Sequence, residues 1–375
     1  MPLASHSINR PRGDRLIISL MANFAIGVDL GGTNLRIAAV DETGTLLEKV
    51  TTGTRVALGR DQVINDMCDA IRGLTAKFQA SRTMLGAGIG VPGIIDMETG
   101  LLRESPNLPG WEEYPVREEI ERRLQAPVIL ENDANAAALG EKWLGAARDV
   151  SDMCILTLGT GVGGGLVLHG RIWHGMNGMA GEFGHMTVDP EGPRCNCGNL
   201  GCIEQFASAS AVMRMAREAI RAGQAPQLAR AAGSDPEFSA KIVYNLAIQG
   251  DEPARDIFRR VGIALGIAVG DLVNALNLPM YVIGGGVASA WEAFSPYMFE
   301  ELQKRSMVYA ATAPTPEARQ PSMGVPAFPS REKGTGAAAE VQPRAVGRKT
   351  IVTRALLGSD AGLYGAARLP MLGSD

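Results

Sequence analysis

His185, Cys195, Cys197 and Cys202, with Glu204 close behind, form the densest group of metal-ligating side chains in this sequence. Three of its five cysteines fall within one short run. One imidazole and three thiolates are the donor set of a closed, four-coordinate structural zinc site. Gly198 and Gly201 allow the tight turn that brings Cys202 back toward Cys195 and Cys197. The alternative is a disulfide-bonded or simply buried cysteine loop, which fits poorly with a chain that otherwise reads as cytosolic, where thiols stay reduced. A zinc ion here is expected to fix the loop beside Gly181-Glu182-Phe183-Gly184-His185 and so to build a binding site nearby.

Two glycine-rich turns, each with a threonine, suggest phosphate handling: Gly31-Gly32-Thr33 and Gly159-Thr160-Gly161. Backbone amides in such a turn can close around phosphate oxygens, and the hydroxyl adds a donor. Either turn could equally be a plain structural hairpin, and neither has the spacing of a P-loop or a dinucleotide fingerprint. Asp29, just before the first turn, is a candidate magnesium partner; the competing role is to cap the turn. Asp133 closes an apolar strand in Glu131-Asn132-Asp133. Carboxylates at such strand ends often point into a ligand crevice, and Asp133 suits a general base that takes the proton of an attacking hydroxyl. Capping the alanine-rich helix that follows is its other reading. Glu182, His185 and Glu204 around the zinc loop could grip a polyol or be ordinary solvated side chains.

The elements that must position these residues read as α/β. With 375 residues, 46% hydrophobic and 20% charged, the chain can bury a sizeable core and is long enough for two domains. Phe24–Val28 and Arg36–Val40 predict a hairpin or meander around the first turn. Apolar positions in 61–80 predict an amphipathic helix, Leu85–Val91 a buried strand, Val116–Leu124 a helix and Val128–Leu130 a strand. A second strand–turn–strand unit follows: Met153–Leu158, a turn over Gly159–Gly165, and a return over Leu166–Leu168. Helices are predicted over Ser208–Ala222 and Pro253–Asn277, a strand over Met280–Ile283 leading into Gly284-Gly285-Gly286, and a turn with a terminal helix over Leu356–Ala367. Residues 311–348 are rich in Pro, Ala, Ser and Gly without periodicity, which predicts a disordered insertion.

The formal net charge of −4 gives no reason to expect nucleic-acid or anionic-membrane binding, and no apolar run is long enough to span a bilayer. Arg10, Arg12 and Arg15 before Leu16–Met21 superficially resemble a secretory signal. Asn23 interrupts the run and no clear cleavage site follows. Residues 1–22 are therefore expected to be a disordered extension, or to precede a true start at Met21, in a cytoplasmic protein.

Eight motifs in order make the chain resemble the ROK family of sugar kinases and sugar-responsive repressors, within the actin-like ATPase superfamily. They are Asp29-Leu-Gly-Gly-Thr-Asn-Leu-Arg36, Val91-Pro-Gly-Ile-Ile-Asp96, Pro106-Asn-Leu-Pro-Gly-Trp111, Glu131-Asn-Asp133, Gly159-Thr-Gly-Val-Gly-Gly-Gly165, Gly181-Glu-Phe-Gly-His185, Cys195–Glu204 and Ile283-Gly-Gly-Gly-Val287. The resemblance covers residues 23–310 and 349–369. It implies a two-domain actin-like ATPase (ribonuclease H-like) fold with mixed sheets and an interdomain cleft. The small domain would hold 23–131 with 360–375, and the large one 132–310 with 349–359.

The resemblance also implies residue roles. Asp29, Gly31, Gly32 and Thr33 would face the ATP phosphates and magnesium, with Thr160 and Gly161 opposite, and Gly284 and Gly285 would approach the nucleotide. Asn132, Asp133, Glu182, His185 and Glu204 would bind the sugar, with Gly93 and Asn107 completing the pocket. His185 would both ligate structural zinc, with Cys195, Cys197 and Cys202, and face the sugar. The implied activity is ATP-dependent hexose phosphorylation, with Asp133 taking the proton of the 6-hydroxyl. Glu182-Phe183-Gly184-His185 with Glu204 looks most like glucokinase-type members, which puts glucose ahead of fructose, mannose, allose and N-acetylmannosamine. Polyphosphate is an alternative donor, and a dimer or tetramer is implied. A repressor of this family would need an N-terminal helix-turn-helix domain, which residues 1–22 do not offer; a sugar-binding protein without turnover is a third reading.

Overall fold

The computed structural model describes residues 22–105, 107–313 and 349–372. The first half comprises β1 (Ala22–Leu30), β2 (Asn34–Asp41), β3 (Leu46–Gly53), α1 (Arg60–Phe78), β4 (Arg82–Val91), β5 (Ile94–Asp96), β6 (Leu101–Glu104), α2 (Val116–Leu124) and β7 (Val128–Asn132). Then come α3 (Asp133–Trp143), β8 (Met153–Leu158), β9 (Val162–Leu168), β10 (Arg171–Ile172), α4 (Glu204–Ala207), α5 (Ala209–Arg221), α6 (Pro226–Ser234), α7 (Ala240–Ile248) and α8 (Glu252–Leu276). β11 (Met280–Gly284), α9 (Trp291–Arg305), α10 (Met307–Thr312), β12 (Ile351–Arg354) and α11 (Ala361–Arg368) complete the described chain.

Two five-stranded sheets share one plan, β3-β2-β1-β4-β7 and β10-β9-β8-β11-β12. In each, the first three strands are antiparallel and the last two run parallel to the first. Strand order and direction fit the expected mixed-sheet, ribonuclease H-like architecture. A hairpin of β5 and β6 forms a separate small sheet. The central strands β1 and β8 read as near-continuous apolar runs because both faces are covered. One apolar stripe of α1 (Val63, Ile64, Met67, Ile71, Leu74) covers the first sheet. The second sheet packs on the apolar face of α8, whose other contacts include Phe294, Met298 and Leu302 of α9.

Between the sheets, α11 lies on β1 and β4, α3 lies on β8 and β9, and the two helices pack on each other. They approach so closely that a Cβ on Gly365 would lie 1.6 Å from the Ala136 carbonyl oxygen. A Cβ on Gly27 would likewise lie 2.2 Å from the Leu363 carbonyl oxygen. Hydrogen atoms at these positions set the depth of the helix pair. Beyond α3 the chain is pinned by Glu141, which is 0% exposed and accepts amides of Ala146, Leu356 and Leu357 at 2.8, 3.1 and 2.8 Å.

Three expectations about elements change. β9 begins at Val162, so Gly163, Gly164 and Gly165 belong to a strand and the turn is only Gly159–Gly161. Their bare backbones are needed for packing: a Cβ on Gly164 would meet Phe183, and one on Gly165 would meet Ala138 at 2.8 Å. Ala311 and Thr312, predicted to open the insertion, end α10, where Ser306 caps by accepting the Tyr309 amide; 314–348 lie outside the described residues. Ala22 starts β1 rather than ending an extension, and residues 1–21 lie outside the described residues. Among the described residues, no helix is long and apolar enough to cross a membrane.

Candidate active site

The two sheets deliver their turns and strand ends into one cleft of about 3120 Å³. Sites for one small molecule span roughly 300–1,000 Å³, so this cleft has room for two substrates side by side. Gly93, Asn107, Asn132, Asp133, Glu182, His185, Glu204, Asp29, Gly31, Gly32, Thr160, Gly161, Gly284 and Gly285 all line it. Thr33 is exposed at the β1–β2 turn and is not among the lining residues; its carbonyl accepts the Thr54 amide at 3.0 Å. Thr54, buried, turns its hydroxyl to the Gly31 carbonyl at 2.5 Å and braces the turn from behind.

Asp133 sits where β7 becomes α3. The two readings of its carboxylate, base or cap, are separated by its neighbour. Asn132 is the N-cap, its side-chain oxygen accepting the Ala134 and Asn135 amides at 2.9 and 3.2 Å. Its Nδ2 donates to the Gly93 carbonyl at 3.2 Å, which holds the β4 turn against the helix start. Asp133 keeps one local contact, Oδ1 to the Ala134 amide at 2.9 Å, and otherwise faces the open cleft. Although water in the cleft reaches it, Asp133 lies deep among protein groups. Burial, then the charges of Asp29 and Glu182, raise its pKa from an ordinary 3.8 to about 6, against the pull of the Ala134 amide.

Asp29 ends β1 on the facing side. Burial raises its pKa, with Asp360 adding to the rise, while Arg36 opposes it through an ion pair at 3.0 Å. The same guanidinium donates to the Ser359 carbonyl at 2.9 Å, joining the first turn to the segment that leads into α11. The repulsion between the Asp29 and Asp133 carboxylates would be relieved by a hard divalent cation such as magnesium, which takes carboxylate and phosphate oxygen.

The cysteine run folds as its donor set requires. The ligand atoms of His185, Cys195, Cys197 and Cys202 all lie within 4.8 Å of one another. Cys195 Sγ is 3.6 Å from His185 Nδ1, and Cys197 Sγ is 3.7 Å from Cys202 Sγ. A tetrahedron with Zn–S bonds of about 2.3 Å has an edge of about 3.8 Å, so the four groups fit zinc. All five cysteines are free, so the disulfide alternative is not what the fold adopts. With Nδ1 toward the thiols, His185 Nε2 points to Glu182 at 3.9 Å. Glu204 bridges outward, its Oε1 3.9 Å from Cys195 Sγ and its Oε2 accepting the Val162 amide at 3.0 Å.

The opposite end is built from backbone. The Gly159–Gly161 turn closes by its own 2.9 Å bond, and its carbonyls take the Ala209 amide and, at Thr160, the Ser210 hydroxyl at 2.8 Å. Gly285 follows β11 with φ +83, and a Cβ there would lie 2.5 Å from Leu158 backbone atoms. Two further polar residues, Glu131 and Glu141, have no role in the sequence reading. Glu131 is buried beside Asp133 and meets His174 at 2.7 Å, and Glu141 pins the segment leading to α11. A carboxylate in an apolar run was their only local signal.

Comparison with known proteins finds relatives of the whole fold. The family model described as "ROK family" matches residues 25–325. A glucokinase of Thermotoga maritima is 43% identical over 267 residues, covering 71% of this chain and 83% of that protein. A xylose repressor of Caldicellulosiruptor bescii is 31% identical over 304 residues, covering 80% of this chain and 76% of its own. The crystal structure of a ROK family glucokinase from Streptomyces griseus, in complex with glucose and AMPPNP, superimposes with a TM-score of 0.70 at 30% identity, over 94% of this chain and 100% of that one.

Proposed function

This chain belongs to the ROK family, and within it we propose an ATP-dependent hexose kinase that phosphorylates glucose on its 6-hydroxyl with Asp133 as the general base. The observation that carries the proposal is the division of labour at the start of α3. Asn132 caps the helix, which leaves the Asp133 carboxylate facing a cleft with glycine turns on one side and a thiol-imidazole knot on the other. The likeness to glucokinases supports a sugar kinase and places glucose first among hexoses.

Phosphoryl transfer asks the protein for position and charge more than for covalent chemistry. Glu182, His185, Glu204, Asn107 and the Gly93 backbone would hold the sugar hydroxyls so that one primary oxygen faces Asp133. Asp133 takes that proton as the oxygen attacks the γ-phosphate in line. Its raised proton affinity suits the task, since an ordinary carboxylate would be a weaker acceptor. The Gly31-Gly32 turn, closed by the Gly31 amide on the Asn34 carbonyl at 2.9 Å, and the amides of Gly32, Thr160 and Gly161 would surround the phosphates, with Gly284 and Gly285 against the nucleotide. Asp29 would hold magnesium, which supplies charge neutralisation at the phosphates. Zinc on His185, Cys195, Cys197 and Cys202 would be structural, since four protein ligands leave no open position.

The same proposal includes the small domain over 23–131 with 360–375, the large one over 132–310 with 349–359, a homo-oligomer and residence in the cytoplasm. Its test is ADP release with Mg-ATP across hexoses and N-acetylhexosamines, beside Asp133→Asn. Turnover of glucose that disappears in the variant is expected. Sugar binding by calorimetry without turnover on any sugar would favour a regulatory role, a class to which a relative named xylose repressor belongs.

A further inference from the structure

The carboxylate beside the base plays no part in the chemistry above. Glu131 is 1% exposed and ends β7 two residues before Asp133. One oxygen accepts the Asn132 amide at 2.9 Å and the Asn135 carboxamide at 3.0 Å. The other accepts from His174 Nε2 at 2.7 Å. A carboxylate taken out of water is costly unless it is paired, and among the described residues His174 is the ionisable partner recorded for it.

His174 stands just after β10, at the head of the segment that carries Glu182 and His185. Its carbonyl accepts the Ala180 amide at 3.1 Å, so this segment folds back on His174 before it reaches the sugar side of the cleft. One imidazole thus fastens the start of the sugar loop to the junction that bears the base. Glu131, from β7, is the charged group that faces the ring. α3 packs on β10 and presents the neutral carboxamide of Asn135 to the same carboxylate.

We propose that the Glu131–His174 pair is a positioning latch that holds the sugar-recognition segment against the Asp133 junction, so that hexose affinity falls when His174 loses its proton. The latch rests on the hexose-kinase reading and touches neither substrate. Its hydrogen bond to Glu131 raises the His174 pKa above the ordinary 6.5, outweighing the opposite effect of burial. The charge-assisted imidazolium bond is therefore complete at lower pH and weakens to a neutral N–H···O bond as pH rises through that raised value. Asp133 acts on the other limb, where protonation removes the base, so the two effects separate into KM on the alkaline side and kcat on the acid side.

The test is hexose KM and kcat from about pH 6 to about pH 9 for wild type and His174→Gln, calorimetric hexose binding at both ends, and an NMR titration of the histidine rings. With four histidines in the chain, the His174 signal is identified by its loss in the variant. The wild-type KM should rise on the alkaline side. His174→Gln, which keeps an N–H donor but cannot take up a charge, should show a KM about 10-fold higher that no longer follows pH, with kcat little changed. Glu131→Gln should return the His174 titration toward its ordinary range. A wild-type pH profile in His174→Gln, a kcat loss as large as the KM change, or a ring that titrates normally would overturn the latch. If the wild type turns over no hexose, the kinase reading fails; the calorimetry then judges the latch, and hexose binding that is absent or insensitive to pH overturns it.

Discussion

The Glu204 carboxylate accepts the Val162 backbone amide at 3.0 Å while its other oxygen lies 3.9 Å from Cys195 Sγ. A single side chain therefore links the thiol knot to the strand that leaves the phosphate turn. Disorder in the knot would reach both substrates through it.

Metal loss should show this link. One zinc per chain is expected, released by a strong chelator or by Cys202→Ser and read by a colorimetric zinc indicator. Cys202 is buried, so the serine variant should also unfold at lower temperature. KM for the sugar should rise about 10-fold or more, the scale on which supporting groups around a site act. Zinc-free protein with full sugar affinity would refute the link between the zinc knot and the sugar site.

Asp133→Asn should lower kcat by about 10²- to 10⁴-fold while the fold persists, as ADP release and circular dichroism would record. In the wild type, kcat should fall as pH drops through about 6, because the base must be unprotonated. Stability carries the opposite sign. A carboxyl with a raised folded pKa favours the fold at low pH, and that contribution is lost as pH rises through about 6. The neutral amide avoids the loss, so above that pH the variant should melt no lower than wild type. A markedly lower melting temperature would show that Asp133 is structural.

Asn132→Ala removes the cap of α3 and should cost about 1 kcal/mol in a denaturant melt. It also leaves the freed amides of Ala134 and Asn135 to Asp133, which should turn toward them, and kcat should drop with stability. Unchanged kcat in a destabilised variant would show that the cap and the base are independent.

Gly285→Ala places a methyl 2.5 Å from the Leu158 backbone at a φ of +83. Overpacking of this kind costs about 1–3 kcal/mol. Calorimetric melting should record the loss, and KM for ATP should rise more than KM for the sugar. Equal effects on both substrates would place Gly285 away from the nucleotide.

Much of the site was legible because its chemistry is written locally. The donor set from His185 to Cys202 sits within one loop, and each Gly/Thr turn is announced by the apolar runs on either side. The helices α1, α5 and α8 follow their apolar periodicity to within a residue or two at their ends. The missed turn boundary at Gly163–Gly165 has a long-range cause: these glycines are strand residues that make room for Phe183 and α3. Thr33 reads as the twin of Thr160, yet only Thr160 lines the cleft.

What the amino-acid sequence determined by itself is the kind of chemistry and its local frames, since ligand type, turn glycines and helical periodicity act over a few residues. Only the tertiary structure decided which of Asn132 and Asp133 caps α3, since the Asn132 carboxamide is also held to the carbonyl of Gly93 in the turn after β4. It likewise decided that Glu131 would find His174, 43 residues away, and that α3 and α11 would meet at Gly365. Such contacts join groups that neighbouring residues do not specify, and they form only when two sheets close on a shared pair of helices.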